Sequence, residues 1–164
     1  QRIPGEILCK GANLKLGYYK NPEATKAVFD DQGWLRTGDM GVIDNEGYLY
    51  IRGRSKSMIL GPSGQNIYPE EIESQFNNMP YVIESLVVEE QGILTALIYP
   101  DFELCEREHL DEAAILEKME ENRVAVNEDL PNYSRIHQIK IFPEEFEKTP
   151  KRSIKRFLYQ RVLE

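Results

Sequence analysis

Cysteine and histidine are scarce in this sequence, and their scarcity removes whole classes of chemistry. Cys9 and Cys105 are far apart, and His109 and His137 stand alone in no metal-binding or redox spacing. The pattern argues against a structural metal and against a disulfide, so the thiols are expected to be reduced, as in a cytoplasmic protein. Long hydrophobic runs are also missing. No stretch approaches the roughly 20 apolar residues of a membrane span, and no basic-then-apolar signal segment opens the chain, so a soluble protein is expected. Positive charge is in deficit: 20 Lys and Arg against 28 Asp and Glu leave a formal charge of -8. That balance argues against nucleic acid or an acidic membrane as the main partner, and any anion site must be local. Internal repeats and low-complexity segments are absent as well.

What is present is 164 residues, 41% of them hydrophobic. This is enough for one modest core, or for a small core plus a strip belonging to a larger body. The opening Gln1-Arg2-Ile3-Pro4-Gly5 runs at once into a strand-like Ile7-Leu8, as expected of a cut through a larger protein.

The first third, to about Ile51, combines short apolar runs with turn signals at Lys10-Gly11, Asp31-Gln32-Gly33 and Asp44-Asn45-Glu46-Gly47. It reads as a β-meander with one short helix over 22–29, and its strongest hairpin signal is Asn45-Glu46-Gly47. The run 52–57, all polar or glycine, reads as a linker. Beyond it we expect a strand at 58–60, a turn at 61–64 and a helix opening with Pro69, whose Glu70, Glu71 and Glu73 suit the positive end of the helix dipole. A hairpin follows across Gln91-Gly92. Spacing of three to four among Leu110, Ala113, Ala114, Leu116, Met119 and Val124 predicts an amphipathic helix over 111–126. A strand at 136–142 comes next, and a terminal helix starts at Thr149-Pro150 with Ile154, Phe157, Leu158 and Val162 on one face. The fold class is α+β: a β-meander, then a small domain with a short mixed or antiparallel sheet covered by helices.

Three constellations exceed what a bland domain needs. In Gly33-Trp34-Leu35-Arg36-Thr37-Gly38-Asp39 a carboxylate sits beside a glycine just before a strand; it can accept both hydroxyls of a ribose, although a Gly-Asp step also serves as an ordinary turn. Arg54 and Lys56 lie in the linker, where a guanidinium can meet a phosphate in an interdomain cleft, or simply face water. Finally, Lys148-Thr149-Pro150-Lys151-Arg152-Ser153-Ile154-Lys155-Arg156 is a dense positive patch. Cations at a helix amino end are electrostatically awkward, which suggests that an anion meets them; a solvated charged face is the alternative.

Taken in order, these residues resemble the adenylate-forming family of acyl-CoA synthetases, peptide-synthetase adenylation domains and luciferases. Gly17-Tyr18 with Asn21-Pro22-Glu23-Ala24-Thr25 looks like the approach to the Gly-Asp motif, and Gly47-Tyr48-Leu49-Tyr50-Ile51-Arg52-Gly53-Arg54-Ser55-Lys56 looks like the hinge motif. Gly64-Gln65-Asn66-Ile67-Tyr68-Pro69-Glu70-Glu71-Ile72-Glu73 is most similar to the long-chain fatty acyl-CoA ligase branch. The resemblance implies that 1–53 is a β-rich remnant of the large ATP-binding domain, 54–56 a hinge and 57–164 a lid domain. It implies ATP, coenzyme A and Mg2+ as cofactors and a fatty acid as substrate. Asp39 would hold the ribose, Arg54 the nucleotide and Lys56 the hinge, and Gly64 with its neighbours would border the pantetheine channel. Where the family presents its catalytic lysine this chain has Ser153, which leaves Lys151, Arg152 or Lys155 to supply the charge. The family's Ser, Thr and Gly-rich phosphate loop is not in the chain, so the fragment alone is not expected to catalyse, and any peripheral membrane contact would be made by the missing part. The alternatives are a non-catalytic acyl- or nucleotide-binding module that lost adenylation, and an amino-acid-activating domain.

Overall fold

The structure is a computed structural model that describes residues 3–160. The chain divides at Met58/Ile59 into two compact units, described separately below. In the first, strand β1 (Gly5–Cys9) pairs antiparallel with β2 (Leu35–Ile43), and β2 pairs antiparallel with β3 (Leu49–Arg54). The β2–β3 turn forms where expected: Asp44 Oδ1 accepts the N–H groups of Glu46 and Tyr48, both at 2.9 Å, and Gly47 takes a φ of +89° that a side chain would resist. Between β1 and β2 lies helix α1 (Pro22–Val28), capped by Asn21 Oδ1 on the Ala24 N–H at 3.0 Å.

The sequence places the linker at 52–57, but Arg52, Gly53 and Arg54 are the last residues of β3. Paired edges of a meander carry polar side chains as readily as a loop does, so composition alone overextended the linker. Asp39, expected just before a strand, lies inside β2 opposite Arg54.

In the second unit, β4 (Ile59–Leu60) and β5 (Asn66–Ile67) form a small ladder closed by the 61–65 turn. Helix α2 (Pro69–Phe76) follows, and then β6 (Val82–Glu90) and β7 (Ile93–Pro100) form an antiparallel hairpin. Gln91 and Gly92 both take positive φ, 52° and 79°, which matches the twist of a two-residue hairpin. Helices α3 (Phe102–Arg107) and α4 (Glu112–Asp129) cross over to β8 (Gln138–Ile141), which pairs parallel with β7 and makes the sheet mixed. Composition gave no sign of α3. Strand alternation sorts the core: Val87, Ala96 and Ile98 face α2 and α4, while Leu86, Val88 and Leu97 face Phe146 and Tyr159.

Two expectations need correction. Helix α4 buries Ile115, Met119, Asn122 and Val126, whereas Leu116 and Val124 are exposed; the span is right but the stripe is rotated. The terminal helix at Thr149 is not formed among the described residues. Thr149 N–H donates to Ser153 O at 2.8 Å and Arg152 N–H to Thr149 O at 2.8 Å, Arg152 has φ +61°, and Lys148 bridges Ile154. A run of cations with the helix dipole against it takes a tight turn instead, followed only by a short 3-10 helix at Arg156–Leu158. Ile154 and Leu158 pack against the second core cluster, Phe157 is exposed, and Val162 lies outside the described residues. No helix among the described residues is long and apolar enough to cross a membrane.

Candidate functional site

In the first unit the carboxylate of Asp39 meets the guanidinium of Arg54 across β2 and β3, with Nη1 and Oδ1 2.7 Å apart. The same Nη1 donates to Thr37 O at 3.3 Å. Thr37 is itself fixed: its hydroxyl donates to Ile7 O at 2.8 Å and accepts the Asp39 N–H at 3.0 Å. Gly38 sits between them at φ +76°, and a Cβ there would lie 3.2 Å from Arg54 Nη2. Glycine is therefore favoured by conformation, and a side chain there would also have to push the half-exposed Arg54 guanidinium aside by a few tenths of an ångström. The structure brings two of the residues singled out in the sequence, Asp39 and Arg54, into one half-exposed pair. Lys56 lies beyond it in the 55–57 turn, where Ser55 N–H donates to Gly38 O at 2.9 Å and Ser57 N–H to Arg54 O at 3.1 Å.

In the second unit Gly64 occupies the 61–65 turn at φ +81°, with its N–H on Gly61 O at 2.9 Å and the Gly61 N–H on Gln65 O at 2.8 Å. The turn borders a groove of about 280 Å³ whose walls include Leu60, Pro62, Gln65, Tyr133 and His137.

The basic patch is mostly neutralised. Lys148 Nζ lies 2.7 Å from Glu84 and 3.4 Å from Glu145, and the Glu84 carboxylate holds its ammonium above the ordinary lysine range. Lys155 Nζ lies 2.8 Å from Glu147. Arg156 makes a two-pronged pair with Glu73, each nitrogen 2.7 Å from its own oxygen, and donates to Val87 O at 3.2 Å. Burial works against the Arg156 charge, but the bonded Glu73 carboxylate more than offsets it. Lys151 and Arg152, both exposed, have no carboxylate partner among the described residues, and Ser153 stands beside them in the same turn.

Glu73 was missed as a site residue in the sequence. Its signal was legible nonetheless, because Pro69, Ile72, Glu73 and Phe76 form the buried stripe of α2. A carboxylate in a stripe otherwise apolar requires a buried partner. Among the described residues no three His, Cys, Asp or Glu side chains gather as a metal site.

Residues 56–162 match the AMP-binding enzyme C-terminal domain. The long-chain-fatty-acid–CoA ligase of Mycobacterium tuberculosis is 50% identical over 84 residues, 51% of this chain and 16% of that protein. A sulfoacetate–CoA ligase of Cupriavidus necator is 45% identical over 84 residues, again 51% of this chain and 16% of that protein. ATP-bound MatB from Rhodopseudomonas palustris superposes with a TM-score of 0.70 at 30% identity, over 98% of this chain and 30% of that one. The chain thus spans less than a third of the length of each. With the domain match running from residue 56 through the α+β unit and the basic turn, this chain belongs to the AMP-binding enzyme family and carries its C-terminal domain.

Proposed function

We propose that this chain is the C-terminal part of an ATP-dependent CoA ligase, with a long-chain fatty acid as the favoured substrate. In the first half-reaction a carboxylate oxygen attacks the α-phosphorus of ATP and pyrophosphate leaves. In the second, the thiol sulfur of coenzyme A attacks the acyl carbon and AMP leaves. The observation that carries the reading is the likeness of nearly the whole chain, both units included, to ATP-bound MatB at 30% identity. The fatty-acid choice rests on the long-chain-fatty-acid relative, and the sulfoacetate relative marks how far substrates range within the family.

In this reading 1–53 belongs to the ATP-binding body, 54–56 is the hinge and 57–164 is a lid. Asp39 accepts ribose hydroxyls through Oδ2, which the Arg54 pair leaves open, and the remaining N–H donors of Arg54 face the nucleotide. Lys56 is the hinge residue, and the Gly64 turn borders the path of the pantetheine arm. A lid that excludes water strengthens each of these interactions. Mg2+ would neutralise the leaving pyrophosphate; the described residues offer no cluster to hold it, so no residue here is assigned to it.

The missing lysine at Ser153 leaves one question, which cation serves the α-phosphate. Lys155 is tied to Glu147, Lys148 to Glu84 and Glu145, and Arg156 to Glu73. Lys151, in the turn and without a carboxylate partner among the described residues, is the cation to which we assign that role, with Arg152 beside it. The competing reading, a binding module without adenylation, has Ser153 in its favour.

Pyrophosphate release by the full-length protein with ATP, Mg2+ and a series of carboxylic acids separates the two. The ligase reading expects turnover that falls roughly 100-fold in Lys151→Ala, the scale of losing one charge-stabilising donor, and little change in Lys155→Ala. No release by the wild type, with release gained in Ser153→Lys, would establish the module instead.

A further inference from the structure

The basic turn is held at its base from inside the domain, at one point by a buried ion pair. Arg156 directly follows the turn, and its guanidinium reaches Glu73 on α2, 83 residues away in sequence, as well as Val87 O on β6. Glu73 is 8% exposed, and its Oε1 also accepts the Val87 N–H at 2.7 Å. The second fastening is Tyr159, whose phenol oxygen accepts the Glu147 N–H at 2.7 Å while its ring packs on Phe142 and Phe146. Between these points the turn closes on itself through Lys155 N–H to Glu147 O at 2.8 Å.

A buried ion pair is a poor means of stabilising a fold, since an apolar pair of similar volume does as well or better. What a two-pronged pair supplies is orientation: a planar fork meeting a carboxylate fixes angle as well as distance. Here it fixes the residue next to the turn that carries Lys151, Arg152 and Ser153. We propose that Glu73 and Arg156 are a positioning pair whose role is to set the 149–155 turn, and through it the free cations, for the first half-reaction. The catalytic part of this inference rests on the ligase reading; the anchoring part does not.

The test uses Arg156→Lys, which keeps the charge and loses the fork, and Glu73→Gln, which keeps the shape and loses the charge, both in the full-length protein. The first measurement is amide exchange at Arg152, Ser153 and Lys155, where an increase of about tenfold is expected with β7, and β6 apart from Val87, unchanged. The second splits the half-reactions: pyrophosphate release is expected to fall about tenfold, while thioester formation from supplied acyl-adenylate stays within about twofold. Unchanged exchange in the turn, or an equal rise throughout the second unit, would overturn the inference. So would a parallel fall of both half-reactions, the mark of a purely structural pair. If Arg156→Lys does not fold, Glu73→Gln decides by the same readings. Should the wild type release no pyrophosphate with any acid, the ligase reading fails, and the exchange result alone decides whether the pair anchors the turn.

Discussion

Gly38 shows how tightly one residue is specified in the first unit. Its φ of +76° lies in the left-handed region, and a methyl group would press on the Arg54 guanidinium at 3.2 Å. Gly38→Ala is expected to cost about 1 kcal/mol from the backbone conformation, and to weaken ATP binding by displacing the Asp39 partner. Urea unfolding and an ATP titration of the full-length protein measure the two effects. At this scale the sequence was partly legible. Asp39 and Arg54 stood out by type and position and do meet, but nothing in their spacing announced an ion pair. Lys155, a candidate by proximity to Ser153, is occupied by Glu147. The shorter contacts of Lys148 and Lys155 are made by Glu84 and Glu147, 64 and 8 residues away, and no local pattern encodes those two.

Elements were legible where the apolar pattern was long enough to set a period. Helix α4 was expected from its periodic pattern, and the structure adds a cap, Asp111 Oδ1 accepting the Ala114 N–H at 2.8 Å. Asp111→Ala is expected to lower stability by about 1 kcal/mol in thermal or urea unfolding. The basic segment carried conflicting signals, a Thr-Pro start against a run of cations, and electrostatics prevailed. Helix α3, only six residues long, gave too short a window for periodicity to register. The α2–tail clamp adds a pH dependence. Burial pushes the Glu73 carboxyl above its ordinary value of 4.5, and the Arg156 guanidinium and the Val87 N–H pull it back only in part. The folded state therefore holds this proton more tightly than the unfolded state, and the stability it contributes is complete below its unfolded value and declines as pH rises through the folded value. In Arg156→Gln the guanidinium's share of the opposing pull is gone, only the Val87 N–H remains, and the folded value rises further. The variant's deficit should thus be small in acid and widen to about 3 kcal/mol near neutrality; urea unfolding of variant and wild type at several pH values checks the trend.

Across the whole molecule the two units differ in how much they bury. From Ile3 to Met58 the only residues classed as buried are glycines, Gly41 and Gly53, while Ile43, Tyr48, Tyr50 and Ile51 are exposed. The entire buried hydrophobic set begins at Ile59. For the 164-residue chain on its own, amides of β1 to β3 are expected to exchange within seconds to minutes, and those of β6 and β7 orders of magnitude more slowly; equal protection in both would contradict this. The fold class and the sheet of the second unit were readable because its strands bury strong apolar patterns, whereas α3 and the turn in place of a terminal helix were not.

The packing of Tyr159 between Phe142 and Phe146, under Leu86, Val88 and Leu97, also has a genetic consequence. A nonsense codon anywhere from Glu147 to Leu158 deletes one wall of that aromatic cluster, and most such codons delete the partner of Glu73 as well. Such alleles should behave as nulls cleared by cellular proteolysis, whereas a missense change at Lys151 should yield a protein of normal abundance and reduced output.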